Sequence, residues 1–368
     1  MKIAMLAPIE EAVPPKKYGG IETVVYNLAQ ELHRMGHDVT VFASGDSELD
    51  CTLVPLVDKA IGSGISKRFR EAMTYKSLVT AAQIIAKGDY DIVHNHVGWQ
   101  ALLFKDIFKK PIVTTIHWTL DNECEREMYK IYRETPFVSI SNDQRKHAPE
   151  LNYVATIYHG LSTKLFKYND KPKDYLAFLG RFSPVKGPVE AISVAEATGE
   201  KLVMAGKINK FEQKYFDEKI RPHIDGQKIT FIGELDRLGT IELLKNAKAL
   251  LSLIQWDEPF GLTNIEAMAC GTPVIGIKRG SLPEIIIDKE TGFLCEDVQG
   301  AIEAVGRIDQ IDRKFCRSHI QNNFSNDRVA KDYLSVYQDI LSIAKLSINI
   351  DESNEKLIKK MDKTFRAL

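Results

Sequence analysis

The feature that most narrows the fold is an alternation, kept up along the whole chain, of short apolar runs with longer segments of helical character. In the first half the apolar runs fall at residues 1–7, 38–43, 91–96, 111–116, 137–140 and 153–158. In the second half they fall at 175–179, 201–205, 228–232, 249–254, 273–277 and 292–295. Short runs bounded by turn residues read as buried strands, and strands that alternate with helices give βα units and an open parallel sheet. A polar segment at 162–174, carrying Lys, Asn and Pro, separates the two series and reads as an interdomain linker. The chain therefore predicts two doubly wound α/β halves, and its 368 residues, 44% hydrophobic and 27% charged, suit about two globular domains.

Charge and cysteine usage exclude several classes. The net charge of −1 argues against a polyanion binder by bulk charge. Cys51, Cys124, Cys270, Cys295 and Cys316 are scattered without a C-x-x-C pair, so neither a zinc site nor a disulfide framework is expected. A reducing cytoplasm is the simplest setting. The first apolar run is broken by Pro8 and reads as a strand, not as a signal peptide, and no run approaches the ~18 apolar residues of a membrane span. Residues 62–76 interleave Lys67, Arg68, Arg70 and Lys76 with Ile65, Phe69 and Met73. That spacing predicts a basic amphipathic helix, either a solvated face or a contact for anionic lipid.

The stretch richest in chemistry runs from Glu258-Pro259-Phe260-Gly261-Leu262-Thr263-Asn264-Ile265-Glu266 to Gly271 and Pro273. It follows the run at 249–254 and leads into a short helix, the place where open α/β sheets bind ligands. Thr263-Asn264-Ile265-Glu266 also spells a capping box, in which Thr263 caps the helix and Glu266 reaches back to an amide. Glu258 has no such local role, and a carboxylate before Pro-Phe-Gly is placed to accept hydrogen bonds from a ligand rich in hydroxyls. Gly19-Gly20 opens a helix after the first strand, either as a plain turn or as a phosphate or sugar cradle. It is not a dinucleotide fingerprint, because no G-x-G-x-x-G follows that strand. In Gly180-Arg181-Phe182-Ser183-Pro184-Val185-Lys186-Gly187 two cations five residues apart follow a strand, and they are either surface charges or a diphosphate clamp. His117 ends the strand at 111–116, either as a loop histidine with a backbone partner or as a ligand contact.

The stretch from Glu258 to Glu266 resembles the glutamate, seven residues, glutamate motif of retaining GT-B glycosyltransferases of family 4, and the resemblance covers roughly residues 1–345. It implies the α/β GT-B fold, two Rossmann-like domains with a cleft between them. Residues 1–165 would form the acceptor-side domain and 166–325 the donor-binding domain. A helix at 326–345, with Val329, Tyr333, Val336, Tyr337, Ile340 and Leu341 on one side, would cross back to the first domain and lead into a charged amphipathic tail at 346–368. By the same resemblance Gly19 and Gly20 lie beside the donor phosphates, and His117 contacts a donor-sugar hydroxyl. Arg181 and Lys186 hold the diphosphate, and Gly233-Glu234-Leu235 meets the base through its backbone. Glu258, with the amides of Phe260 and Gly261, grips the sugar. The helix start at Leu262 and Thr263 offers further amides, and Glu266 holds the ribose.

Two departures stand out: Tyr158-His159-Gly160-Leu161-Ser162 replaces a common Asn-Gly-x-Asp, and Val185 replaces a frequent glutamate. The implied reaction moves a hexose from a nucleoside diphosphate sugar, UDP-sugar ahead of GDP-sugar, to an acceptor hydroxyl with retention and with no further cofactor. The acceptor would be a small molecule, a glycan or a lipid-linked sugar, without nucleic acid, at a cytoplasmic location with peripheral membrane contact as an option. No metal is expected, since Asp89-Tyr90-Asp91 satisfies D-x-D but precedes its strand and so belongs at the sheet's opposite edge. The rivals are a sugar nucleotide 2-epimerase on the same architecture and a catalytically idle nucleotide-sugar-binding subunit.

Overall fold

The computed structural model describes residues 1–365 apart from 18, 63 and 64, with side chains as far as residue 346. Among these residues the strands form two parallel sheets. The first holds β1 (Lys2–Leu6), β2 (Asp38–Ser44), β3 (Thr52–Val57), β4 (Ile92–Asn95), β5 (Ile112–Thr115), β6 (Phe137–Ser139) and β7 (Tyr153–Thr156), in the order β3-β2-β1-β4-β5-β6-β7. The second holds β8 (Leu176–Leu179), β9 (Leu202–Ala205), β10 (Ile229–Phe231), β11 (Ala249–Ser252), β12 (Val274–Ile277) and β13 (Gly292–Cys295), in the order β10-β9-β8-β11-β12-β13. Each apolar run of the sequence is a strand, and the fold is the expected pair of Rossmann-like domains.

Central strands are buried throughout because helices cover both faces, β4 and β11 at every position. In each sheet the chain reverses its direction of winding beside the first strand, between β1 and β4 and between β8 and β11. Such reversals leave a crevice at the carboxyl ends of the strands. The loops after β1, β4, β8 and β11 therefore converge on the same region.

The fold departs from the sequence reading in three places. The first sheet has an extra edge strand, β3, in which Pro55 sits and most residues are only partly buried. The run Leu53-Val54-Pro55-Leu56-Val57 is apolar, but its proline argues against a strand from sequence, and proline is tolerated there because the strand is an edge. The helix expected over 62–76 begins at Lys67, capped by Ser66, and runs to Lys87; residues 63 and 64 lie outside the described residues. Its buried face is Ser77, Leu78, Ala81, Ala82 and Ile85, whereas Phe69 is 51% exposed, so the basic end is not the packed end. Finally, the crossing helix does not stop near residue 345 but continues unbroken from Asn326 to Phe365. The apolar stripe of the expected amphipathic tail, Leu357, Ile358, Met361 and Phe365, falls on side chains outside the described residues.

The crossing helix buries Val329, Ala330, Tyr333, Val336, Tyr337 and Ile340 in the core of the first domain. Both passages between the domains run side by side. The Leu161 amide donates to the Phe324 carbonyl at 3.0 Å, and the Asn326 amide donates to the Leu161 carbonyl at 3.2 Å. Glu284 of the second domain accepts from the amides of Asn142 and Asp143 (2.8 Å each), from Asn142 Nδ2 (2.9 Å) and from the Tyr158 hydroxyl (2.8 Å). Glu284 thereby ties the two domains together.

Candidate active site

The donor loop is held by its own backbone and by the loop after β12. The helix Leu262–Ala269 begins two residues earlier than a capping box predicts. Its N-cap is Gly261, at φ 87°, and it has no side-chain cap, so Thr263 lies inside the first turn and Glu266 is free of any capping duty. A left-handed N-cap suits glycine and leaves the first amides of the helix to a ligand. Behind the loop, Gly280 (φ 57°) packs so closely that a Cβ would stand 2.5 Å from the Glu258 nitrogen. The loop is thereby fixed against the second sheet.

Glu258, 9% exposed, accepts from Trp256 Nε1 at 2.8 Å and forms an ion pair with Lys186 Nζ. The Lys186 ammonium also lies 5.3 Å from the centre of the Trp256 ring. The cation expected on the diphosphate and the carboxylate expected on the sugar are thus paired with each other. Arg181 lies at the carboxyl end of β8, 3.9 Å from Glu212, and its Nε is buried without a partner, as are Ser183 Oγ and Asn264 Oδ1. Buried polar atoms normally find partners. Three without one around one loop cluster mark a place built for a polar ligand.

Glu266 is paired with Arg237 at 2.6 Å; burial raises its pKa and the neighbouring guanidinium opposes the rise. If the carboxylate serves a ligand, Glu266→Gln should weaken the nucleoside diphosphate about tenfold, the worth of one charge-assisted hydrogen bond. The melting temperature should change little, because Arg237 is partly solvated. Calorimetry beside a thermal melt checks this; unchanged affinity with a lowered melting temperature would make the residue structural.

The glycine loop meets the donor loop directly, since a Cβ at Gly20 would stand 3.9 Å from Leu262 Cδ1. Two ion pairs support the approach: Lys17 with Glu234 at 3.9 Å, beside Gly233, and Lys207 with Glu11 at 4.0 Å. Glu22, on the first turn of the helix Gly20–Arg34, is 6% exposed, and burial raises its pKa to about 7. In the unfolded chain the same carboxyl ionises near 4.3. Between the two values the unfolded chain loses its proton first, so folding stability falls as pH rises through that window, by about 4 kcal/mol from this group. Glu22→Gln should therefore raise stability at pH 8 and leave it nearly unchanged at pH 4, as denaturant melts at the two pH values will read.

His117, 8% exposed, bonds another side chain and not the backbone. Its Nε2 lies 2.8 Å from His96 Nδ1, and its ring stacks between His96 (5.1 Å) and His159 (5.3 Å). His159 meets the Phe260 ring edge-on at 4.9 Å, and His96 lies 3.9 Å from His94. His94 Nδ1 is 2.7 Å from the Tyr337 hydroxyl, and its Nε2 is 2.8 Å from Thr115 Oγ1, which in turn meets the Tyr333 hydroxyl at 2.8 Å. One stack of rings thus runs from the crossing helix to the donor loop. Burial holds all four imidazoles neutral, with His117 lowered to about 3 and the other three well below the usual value. Besides His117 itself, the sequence signals for the stack are the His94-Asn95-His96 strand end and the odd turn at His159.

The D-x-D pair stands apart. Asp89 bonds the Lys2 ammonium at 2.6 Å and Asp91 accepts from the Lys2 amide at 2.7 Å, at the edge where β1 and β4 begin. Among the described residues no group of His, Cys, Asp and Glu is arranged to hold a metal, and no helix is long and apolar enough to cross a membrane.

Two Rossmann-like domains whose strand ends close on a loop cluster define the GT-B class of nucleotide-sugar enzyme folds. Comparison with known proteins agrees. The pattern described as Glycosyl transferases group 1 matches residues 163–322, and that of Glycosyltransferase Family 4 matches residues 18–177. The chain belongs to the group 1 glycosyltransferases of family 4, and it is a glycosyltransferase. Spore coat protein SA of Bacillus subtilis (strain 168) is 23% identical over 391 residues, covering 92% of this chain and 99% of the relative. Glycogen synthase of Mycobacterium tuberculosis (strain H37Rv) is 25% identical over 385 residues, covering 88% and 92%. The crystal structure of Anabaena Alr3699/HepE in complex with UDP and glucose shares the fold with a TM-score of 0.71 at 18% identity, covering 92% of this chain and 99% of that one.

Proposed function

We propose that the chain transfers a hexosyl group from a nucleoside diphosphate sugar, UDP-sugar in the first instance, to an acceptor hydroxyl, with retention at the anomeric carbon. The observation that carries this reading is the Lys186–Glu258 pair at the mouth of the donor-loop helix. It sets a cation for a leaving diphosphate beside a carboxylate for sugar hydroxyls. The acceptor oxygen attacks C1 from the face that the diphosphate leaves, the C1–O bond to phosphate breaks, and the acceptor proton passes to a donor phosphate oxygen. Arg181, Lys186 and the amides that open the helix Leu262–Ala269 take up the charge that gathers on the diphosphate. Glu258 orients the sugar, His117 meets one of its hydroxyls, and Glu266 holds the ribose.

A donor of the UDP class is supported by the Anabaena structure, which binds UDP and glucose; glycan acceptors are supported by the glycogen synthase relative. A panel of sugar nucleotides, assayed for nucleotide release with and without candidate acceptors, tests the reading. Release should require an acceptor and the product should keep the donor's anomeric configuration; free UDP and a modified sugar without acceptor would mean epimerisation. Because protein cations carry the leaving-group charge, transfer should persist after exhaustive EDTA treatment. Complete loss, restored by one ion per chain, would overturn that assignment.

A further inference from the structure

We infer that His96 is the positioning residue for His117: it donates its Nδ1 proton to His117 Nε2, so that His117 keeps its own proton on Nδ1 and offers an N–H to a substrate oxygen. The inference rests on the reading of His117 as a donor-sugar contact and adds to it the sense of the hydrogen bond.

The argument is a proton count. Two neutral imidazoles carry two protons on four nitrogens, and the bond between His96 Nδ1 and His117 Nε2, 2.8 Å long, takes one proton and one lone pair. One proton and one lone pair remain for the outer nitrogens, His96 Nε2 and His117 Nδ1, and both are buried without a partner. One of the two must therefore be an unpaired N–H. Buried N–H groups without an acceptor are rarer in proteins than unpaired acceptors, so the N–H belongs at the end a ligand can reach. His96 is 1% exposed and closed in by the His94 ring, whose two nitrogens are already engaged by Tyr337 and Thr115. His117 stacks on His159, which touches the donor-loop residue Phe260. The lone pair accordingly lies on His96 Nε2 and the free N–H on His117 Nδ1. In this state His117 donates to a hydroxyl or ring oxygen and has no free lone pair with which to take a proton. Burial, which keeps both rings neutral, supports the count.

The tautomer is read directly in the full chain by long-range ¹H–¹⁵N correlation of ¹⁵N-histidine, with the His117 signals assigned by their loss in His117→Gln. The expected spectrum has a pyrrole-type Nδ1 and a pyridine-type Nε2 at His117; the reverse pattern in the unaltered protein overturns the inference. His96→Asn places an amide donor where Nδ1 stands and should keep the pattern. His96→Leu should let His117 move its proton to Nε2 and raise the donor KM about tenfold, with nucleoside diphosphate affinity unchanged. A pattern unmoved in His96→Leu would overturn the inference as well. If the tautomer is as inferred but His117→Gln binds sugar nucleotide and nucleoside diphosphate as the unaltered protein does, the donor-sugar role of His117 falls and the positioning by His96 stands.

Discussion

Replacing Lys186 by alanine should lower turnover roughly 100-fold or more, because one lost donor at a site of developing negative charge costs on the order of 3 kcal/mol. The ammonium is held in the free chain by Glu258 and by the Trp256 face, so it is in place before the donor arrives and needs little reorganisation. Its charge matters most when the C1–O bond is breaking, which puts the loss in kcat more than in KM. Lys186→Arg should restore only part of the rate, since a planar fork does not reproduce a compact, mobile point charge. Steady-state kinetics at saturating donor decide the matter. A Lys186→Ala enzyme with near-normal kcat would leave Arg181 and the helix amides as sufficient and end the role given to Lys186.

How much of this was legible in the sequence depends on how far apart the interacting residues are. Strands such as β4 and β11 announce themselves because both faces are buried, whereas β3 is an edge whose partly exposed residues and Pro55 blur the pattern. The donor loop was legible as a contiguous motif, and so were the cations that follow β8. Even there, local spacing leaves a capping box open, since Thr263-Asn264-Ile265-Glu266 satisfies a rule that Gly261 overrides. The partners were not legible. Arg237 reaches Glu266 across 29 residues, His96 reaches His117 across 21, Tyr337 reaches His94 across 243 and Glu284 reaches Asn142 across 142. Spacing rules describe one helix or one strand, and these contacts exist only after two sheets and a returning helix have been assembled. The departure at His159 shows the same limit from the other side. As a motif it was a mismatch, and as a ring it joins His117 to Phe260.

The pairing of Lys186 with Glu258 makes the second large effect two-sided, and that makes it decisive. Glu258→Gln keeps the shape of the side chain and an acceptor for Trp256 Nε1, but it removes the charge that holds Lys186. If Glu258 grips sugar hydroxyls, kcat/KM for the sugar nucleotide should fall roughly 100-fold, comparable to losing one preorganised polar contact in the transition state. The affinity for the bare nucleoside diphosphate should move the other way, rising several-fold, because the lysine charge is no longer offset by a buried counter-ion when the phosphates arrive. In the Lys186→Ala, Glu258→Gln double variant that gain must vanish, since nothing is left to release, and the two changes should be clearly non-additive in nucleoside diphosphate binding. Calorimetry with the nucleotide alone, run beside the kinetics, separates the two roles. Equal weakening of sugar nucleotide and bare nucleotide by Glu258→Gln would show that the carboxylate shapes the loop and does not hold the sugar, and the transfer reaction would then need another residue to orient its donor.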